Sequence, residues 1–113
     1  YGHAIGDRCL KEIIKRSMPL LRKSDMLARY GGEEFVVIMP ETDAQGAKEA
    51  AEKIRKTIER IEFLYKKEKV NVTVSIGVTQ VTEKDTSHLQ VFERADIAVY
   101  KAKEAGRNRV EVN

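Results

Sequence analysis

The chain has 113 residues, 42% of them hydrophobic and 35% charged, which allows one domain with one core and excludes a disordered polypeptide. No apolar run approaches the length of a membrane span and no signal peptide is visible, so no membrane contact by this domain is expected. The net charge of +3 mildly favours an anionic partner, but interleaved acidic residues argue against a nucleic-acid-binding stripe.

In chain order, apolar residues at Cys9, Leu10, Ile13, Ile14, Leu20 and Leu21 predict an amphipathic helix from Gly6 to about Leu21, ended or kinked by Pro19 near Met18. The single cysteine, Cys9, lies at helical spacing from Ile5 and Ile13 and reads as a core residue, compatible with a reducing compartment. Strands are expected at Met26–Tyr30 and Phe35–Met39, joined through Gly31-Gly32 as a β-hairpin, with Pro40 stopping the second. The stripe Ala44, Ala47, Ala51, Ile54, Ile58, Ile61 predicts a long helix from Asp43 to about Lys67. Alternation at Val70, Val72, Val74, Ile76 and Val78 predicts a strand. A last helix, Ser87 to Ala105, would turn Leu89, Phe92, Ala95, Val99 and Ala102 inward and end at Gly106, before a short strand at Arg109–Val112. The order α-β-β-α-β-α-β predicts an α+β fold, a mixed sheet with helices packed on it. A sheet of this kind has a central strand before its first helix, and this chain holds none there.

Four segments could carry chemistry. In RYGGEEFV, two residues without a Cβ let a phosphate or ribose lie against the backbone, and the neighbouring Glu33 and Glu34 could hold a divalent cation. A Gly-Gly turn with solvated glutamates is the bland alternative. Side chains alternate along a strand, so one glutamate would bind metal while the other supports it or accepts a proton. In GHAIGD, Asp7 is either a helix N-cap or a carboxylate accepting from guanine N1–H and N2–H₂, with His3 beside it. Lys103 and Arg107 sit four apart around a helix C-terminus, which suits the helix dipole as well as it suits a phosphate. Arg22 and Asp25 form an RxxD, a loop ion pair unless the guanidinium meets a phosphate or a guanine edge.

Taken together the segments resemble the GGDEF family of diguanylate cyclases. YGHAIGD is similar to that family's GHxxGD element, RKSD stands five residues before GGEEF as its product-inhibition motif does, and GGEEF is a common variant of its signature. VTVSIGV and ADIAVYKAKEAGRNRV are similar to its later strand and last helix. The resemblance spans nearly the whole of 1–113, in order, as an N-terminally truncated GGDEF catalytic domain. It implies a mixed, mostly antiparallel sheet flanked by helices, akin to adenylyl cyclase and polymerase palm domains. It also implies condensation of two GTP into cyclic di-GMP with release of two pyrophosphates, aided by Mg²⁺ or Mn²⁺. Residue by residue, it implies that Gly31 and Gly32 lie against the nucleotide and that Glu33 binds the metal. Glu33 or Glu34 would be linked to deprotonation of the attacking 3′-hydroxyl. His3 and Asp7 would fall at guanine positions, Lys103 and Arg107 at phosphate positions, and Arg22, Asp25 and Lys53 at the inhibitory product site. The family's first metal ligand, an aspartate on the strand before the first helix, and a guanine-reading asparagine would lie upstream of Tyr1. Catalysis would need a homodimer in the cytoplasm, with any sensor or membrane anchor supplied by a longer parent chain.

Two other readings compete. A catalytically silent GGDEF-like domain would bind cyclic di-GMP or GTP and regulate a partner. A ferredoxin-like RNA-binding module is disfavoured, because the strands lack exposed base-stacking aromatics.

Overall fold

The computed structural model describes residues 3–31 and 33–113, and of residues 3–5 the backbone alone. Helix α1 covers His3–Ser17. Cys9 and Ile13, four apart, share the face that meets the core. Pro19 has no N–H to extend the ladder, so α1 ends next to Met18, as expected, and the chain tightens into a short 3-10 turn at Met18–Leu20. Strands β1, Met26–Arg29, and β2, Phe35–Ile38, pair antiparallel, with Met26 opposite Ile38 and Arg29 opposite Phe35. Helix α2, Ala44–Glu59, starts at Asp43, whose Oδ1 accepts from the Gly46 N–H at 2.8 Å.

Helix α2 stops eight residues short of the expected Lys67. The Ile61 N–H turns back to the Ile58 carbonyl at 3.0 Å, and the chain enters a second hairpin. Strands β3, Phe63–Tyr65, and β4, Glu68–Val70, pair antiparallel around Lys66 and Lys67, whose φ angles are +50° and +68°. Two consecutive left-handed residues are what a tight two-residue hairpin turn needs. Lys-Lys lacks the Asn-Gly or Asp-Gly signature, so this hairpin is invisible to a pattern search, and its charged residues read as a helix's solvent face.

The predicted strand from Val70 to Val78 also divides. Val70 closes β4, and β5 covers only Ile76–Val78. Between them Val72 and Val74 still pack on the core while the backbone makes no ladder. The alternation therefore reported which side chains face inward, a property that does not require pairing. Helix α3, His88–Glu104, links β5 to its parallel partner β6, Val110–Val112. Its N-cap is Ser87, whose Oγ accepts from the Leu89 N–H at 3.1 Å. Its buried side chains are Ala98 and Ala102, whereas Leu89, expected inward, is 58% exposed. The inner stripe lies where α3 crosses β5 at Ala95, Ala98 and Val99, and Leu89 precedes that crossing by more than one turn.

The fold is thus α+β, with two antiparallel pairs and one parallel pair. These stand as three separate two-stranded ladders among the described residues. Cys9, Ile58, Ile61, Phe63 and Val70 form the main core, uniting α1, the end of α2 and the β3–β4 hairpin. Burial raises the Cys9 thiol pKa, as a small core residue away from water requires. No described helix is long and apolar enough to cross a membrane.

Candidate functional site

At the tip of the β1–β2 hairpin the Glu34 carbonyl accepts from the Tyr30 N–H at 2.9 Å and from the Gly31 N–H at 3.4 Å. This closes the turn on the Gly31 side and leaves both Glu33 and Glu34 exposed. The Glu34 carboxylate bends back over Gly31; a Cβ built on Gly31 would lie 3.5 Å from Glu34 Oε2. The described residues therefore leave room for a side chain at residue 31. Gly32 lies outside the described residues. Arg29 Nε donates to the Gly31 carbonyl at 3.3 Å, and the Tyr30 ring meets Phe92 of α3 edge-on, with centroids 5.1 Å apart. His88 joins the stack at 5.7 Å from Phe92. Phe92, expected to point into the core, instead braces the hairpin tip.

Between α1 and the hairpin lies an open cavity of about 300 Å³. Its walls include Leu10 and Ile14 from α1 and Leu27 and Phe35 from the strands, while Asp7, Lys11 and Arg29 supply charge. Asp7 is an exposed residue inside α1, five residues into the chain of the helix from His3, so it is not the N-cap. The structure places Asp7 on the cavity wall that faces Leu27, Arg29 and Phe35 of the hairpin. Lys11 and Arg29 were not singled out by sequence; the i,i+4 spacing of Asp7 and Lys11 was the available signal. The His3 side chain lies outside the described residues. Apolar walls with a carboxylate at one side suit a flat heterocycle carrying N–H donors.

Lys103 sits in the last turn of α3 and Arg107 in the loop beyond it. Both are exposed, and neither side chain has a hydrogen-bond or ion-pair partner among the described residues. The α3 C-terminal carbonyls favour cations here, but the two ammonium and guanidinium groups remain available to an anion. No contact joins them directly to Glu33 or Glu34 among the described residues. No group of three or more His, Cys, Asp or Glu side chains converges among the described residues. A site for Mg²⁺ does not need one, because that ion commonly takes one or two carboxylates and completes its shell with water and substrate phosphates. Two exposed carboxylates at a hairpin tip fit that donor set.

The RxxD segment is closed on itself. Arg22 Nη2 donates to Asp25 Oδ1 at 3.1 Å, and the Arg22 backbone N–H reaches Asp25 Oδ2 at 2.8 Å. The same guanidinium also bonds the Pro40 carbonyl at 3.0 Å and the Thr42 hydroxyl, tying the segment to the loop before α2. The side-chain hydrogen bond from Arg22, then its backbone N–H, hold the Asp25 carboxyl below the usual carboxylate range. The Asp25 side chain is fully covered while that of Arg22 is 54% exposed. Thr42 and Pro40 were not anticipated as partners. Lys53 is exposed on α2, beside Lys56, Glu49 and Glu52, along a groove that shares no lining residue with the first.

Comparison with known proteins accounts for this arrangement. The family described as "Diguanylate cyclase, GGDEF domain" matches residues 1–109. The chain is 45% identical over 113 residues to diguanylate cyclase A of Treponema denticola, covering 100% of this chain and 30% of that protein. It is 42% identical over 112 residues to diguanylate cyclase DgcP of Pseudomonas aeruginosa, covering 99% of this chain and 16% of the relative. It therefore spans less than a third of these relatives' lengths. Among solved structures it superposes with a TM-score of 0.93 on Pseudomonas aeruginosa diguanylate cyclase SiaD in complex with its activator SiaC, at 34% identity, covering 100% of this chain and 43% of that one. The GGDEF domain of DgcB from Caulobacter crescentus, in complex with c-di-GMP, gives a TM-score of 0.91 at 32% identity, covering 99% of this chain and 67% of that one. The glutamate-tipped hairpin, the groove against α1 and the order of elements thus have one explanation: the chain belongs to the diguanylate cyclase GGDEF-domain family.

Proposed function

We propose that this domain is the catalytic unit of a diguanylate cyclase, joining two GTP into cyclic di-GMP and releasing two pyrophosphates. The observation that carries the reading is the groove between α1 and the hairpin, with Asp7 on one side and exposed Glu33 and Glu34 at the neighbouring tip. Guanine would lie between the apolar walls, and Asp7 would accept from its N1–H and N2–H₂. Adenine, with no donor at either position, would leave that carboxylate unpaired. His3 would flank the base. Gly31 and Gly32 would let the ribose and phosphates approach the backbone. Lys103 and Arg107 would bind the β- and γ-phosphates and stabilise charge on the departing pyrophosphate.

Glu33 would hold Mg²⁺ or Mn²⁺, with Glu34 as the supporting or proton-accepting carboxylate. When bound, the ion supplies charge neutralisation of the triphosphate and acidifies the attacking 3′-hydroxyl. The 3′-oxygen of each GTP would attack the α-phosphorus of the other, giving its proton to the accepting glutamate carboxylate, and at each phosphorus the α–β bridging oxygen would leave with a pyrophosphate. One domain would hold one GTP, so synthesis would need two copies facing each other about a two-fold axis. Arg22, Asp25 and Lys53 would form a separate site for product, which would hold the two copies apart. The cytoplasm, where GTP is available, is the proposed setting.

The test is product analysis of the full-length protein incubated with GTP and Mg²⁺, with ATP as control and a chelator as second control. Cyclic di-GMP and pyrophosphate should form from GTP alone, and specific activity should fall on dilution below the dimer dissociation constant. GTP binding without turnover at any protein concentration would instead identify a regulatory binding domain.

A further inference from the structure

The loop that carries Arg107 has an unusual backbone. Gly106, Arg107 and Asn108 follow one another with φ angles of +117°, +62° and +48°. Glycine adopts such angles freely, but an arginine there is strained and must be held by its surroundings. Part of the hold comes from α3 itself: the Arg107 N–H bonds the Ala102 carbonyl at 2.9 Å, and the Gly106 N–H bonds the Lys103 carbonyl at 3.3 Å. The rest comes from another helix. Arg55 Nη1 on α2 donates to Asn108 Oδ1 at 3.0 Å, and Asn108 Nδ2 donates to Glu59 Oε2. Arg55 is itself fixed by Glu52 at 3.1 Å and Glu59 at 3.6 Å, with its side chain only 14% exposed.

The Asn108 amide is therefore gripped at both ends by groups of opposite charge. A cation at its oxygen and a carboxylate at its nitrogen specify one orientation of the amide. On the following side, the Arg109 carbonyl accepts from the Ile76 N–H at 2.9 Å, which joins the loop to β5. Arg107 stands between these anchors, and its own side chain is exposed and unpartnered among the described residues. The network fixes the residue next to the cation and leaves the cation free.

From this we infer that Asn108, clamped by Arg55 and Glu59, is a positioning residue that aims Arg107 at the triphosphate. The inference rests on the reading of Arg107 as a phosphate-binding residue. The clamp sets the loop before substrate arrives, so that the guanidinium meets the phosphates without an ordering step. A role confined to joining α2 to the loop would stabilise the fold without coupling to Arg107.

The experiment is a double-mutant cycle in the full-length protein, with KM for GTP and the affinity for inorganic pyrophosphate as readouts. Asn108→Gly keeps the left-handed backbone accessible and removes the clamp, so the variant should fold; thermal unfolding checks this. It should raise KM and weaken pyrophosphate about five- to tenfold, and should add little once Arg107 is alanine. Glu59→Gln, which keeps an acceptor for the Asn108 amide, should lie closer to wild type than Glu59→Ala. An unchanged Asn108→Gly, or an equal loss with and without Arg107, would overturn the positioning role. If Arg107→Ala itself changed neither readout, the placement of Arg107 at the phosphates would fail and this inference with it.

Discussion

Gly77 of β5 lies directly under the Ala95 carbonyl of α3, with no space for a side chain between them. A Cβ at Gly77 would also come within 2.7 Å of the Val99 nitrogen and 2.9 Å of the Ala98 Cβ. Backbone groups of a helix cannot swing aside as a flexible side chain can, so contact this close requires hydrogen at position 77. The same closeness explains why α3 buries Ala98 and Ala102 there, both 0% exposed, and no larger residue. Gly77→Ala should therefore push α3 off β5 and destabilise the domain by roughly 1–3 kcal/mol or more. Denaturant unfolding of the two proteins measures this. Equal midpoints would mean that α3 is free to shift.

Ile58 makes the opposite case, a residue needed for its volume. Among the described residues it is the largest fully buried side chain, at 1% exposure, in the cluster that joins α1, α2 and the β3–β4 hairpin. Ile58→Ala should cost about 2–5 kcal/mol in unfolding free energy, and Ile58→Val about 1 kcal/mol. A loss for alanine no greater than for valine would show that the surrounding residues collapse into the space.

Asp85 and Arg94 should give the domain an acid-sensitive component. Arg94 donates to both Asp85 oxygens, at 2.6 and 2.8 Å, and also bonds the Thr79 hydroxyl and the Gln80 carbonyl. The Arg94 hydrogen bonds, followed by the Thr82 N–H, lower the Asp85 pKa from 3.8 to about 2. Because the folded value lies below the unfolded one, this contribution is complete above pH 3.8 and is lost as pH falls through about 2. Wild type should lose stability relative to Asp85→Asn across that window. Parallel stability curves for the two proteins between pH 5 and pH 2 would rule the contribution out.

The two glutamates of the hairpin should differ. Glu33→Gln keeps the shape but removes the charge that would hold Mg²⁺, and should reduce cyclic di-GMP synthesis by about two orders of magnitude or more. Its stability should change by no more than about 0.5 kcal/mol, because the residue is exposed and unpaired among the described residues. Glu34→Gln, whose side chain bends over Gly31, should show the smaller loss. Wild-type rates for Glu33→Gln at limiting Mg²⁺ would remove Glu33 from the metal site.

For the RxxD segment the structure adds a condition. The Asp25 side chain is fully covered and both its oxygens accept from Arg22, Oδ1 from the guanidinium and Oδ2 from the backbone N–H, so a guanine can reach the carboxylate only if this segment opens. Arg22→Ala should weaken cyclic di-GMP binding about tenfold or more and relieve product inhibition while sparing initial turnover. Thr42→Val removes one hydroxyl partner of Arg22 and should alter product affinity by a smaller factor. Titration of product followed by progress curves tests both. Undiminished product binding in Arg22→Ala would leave RKSD as a loop ion pair.

The sequence by itself determined the order of most elements, because helix and strand periodicities and the breakers Pro19, Pro40 and Gly106 act locally. It also displayed the segments RKSD, GGEEF and KEAGR, since each is contiguous. Only the tertiary structure decided where α2 ends, because the Lys66-Lys67 turn is held by pairing and by burial of Phe63 and Val70 rather than by its own residue types. It alone separated burial from pairing in residues 70–78, which alternate in the same way for either reason. It turned Phe92 to Tyr30 and Asn108 to Arg55 and Glu59. The last contact spans 49 positions of sequence, and no local pattern can encode a partner chosen by the packing of a helix against a distant loop.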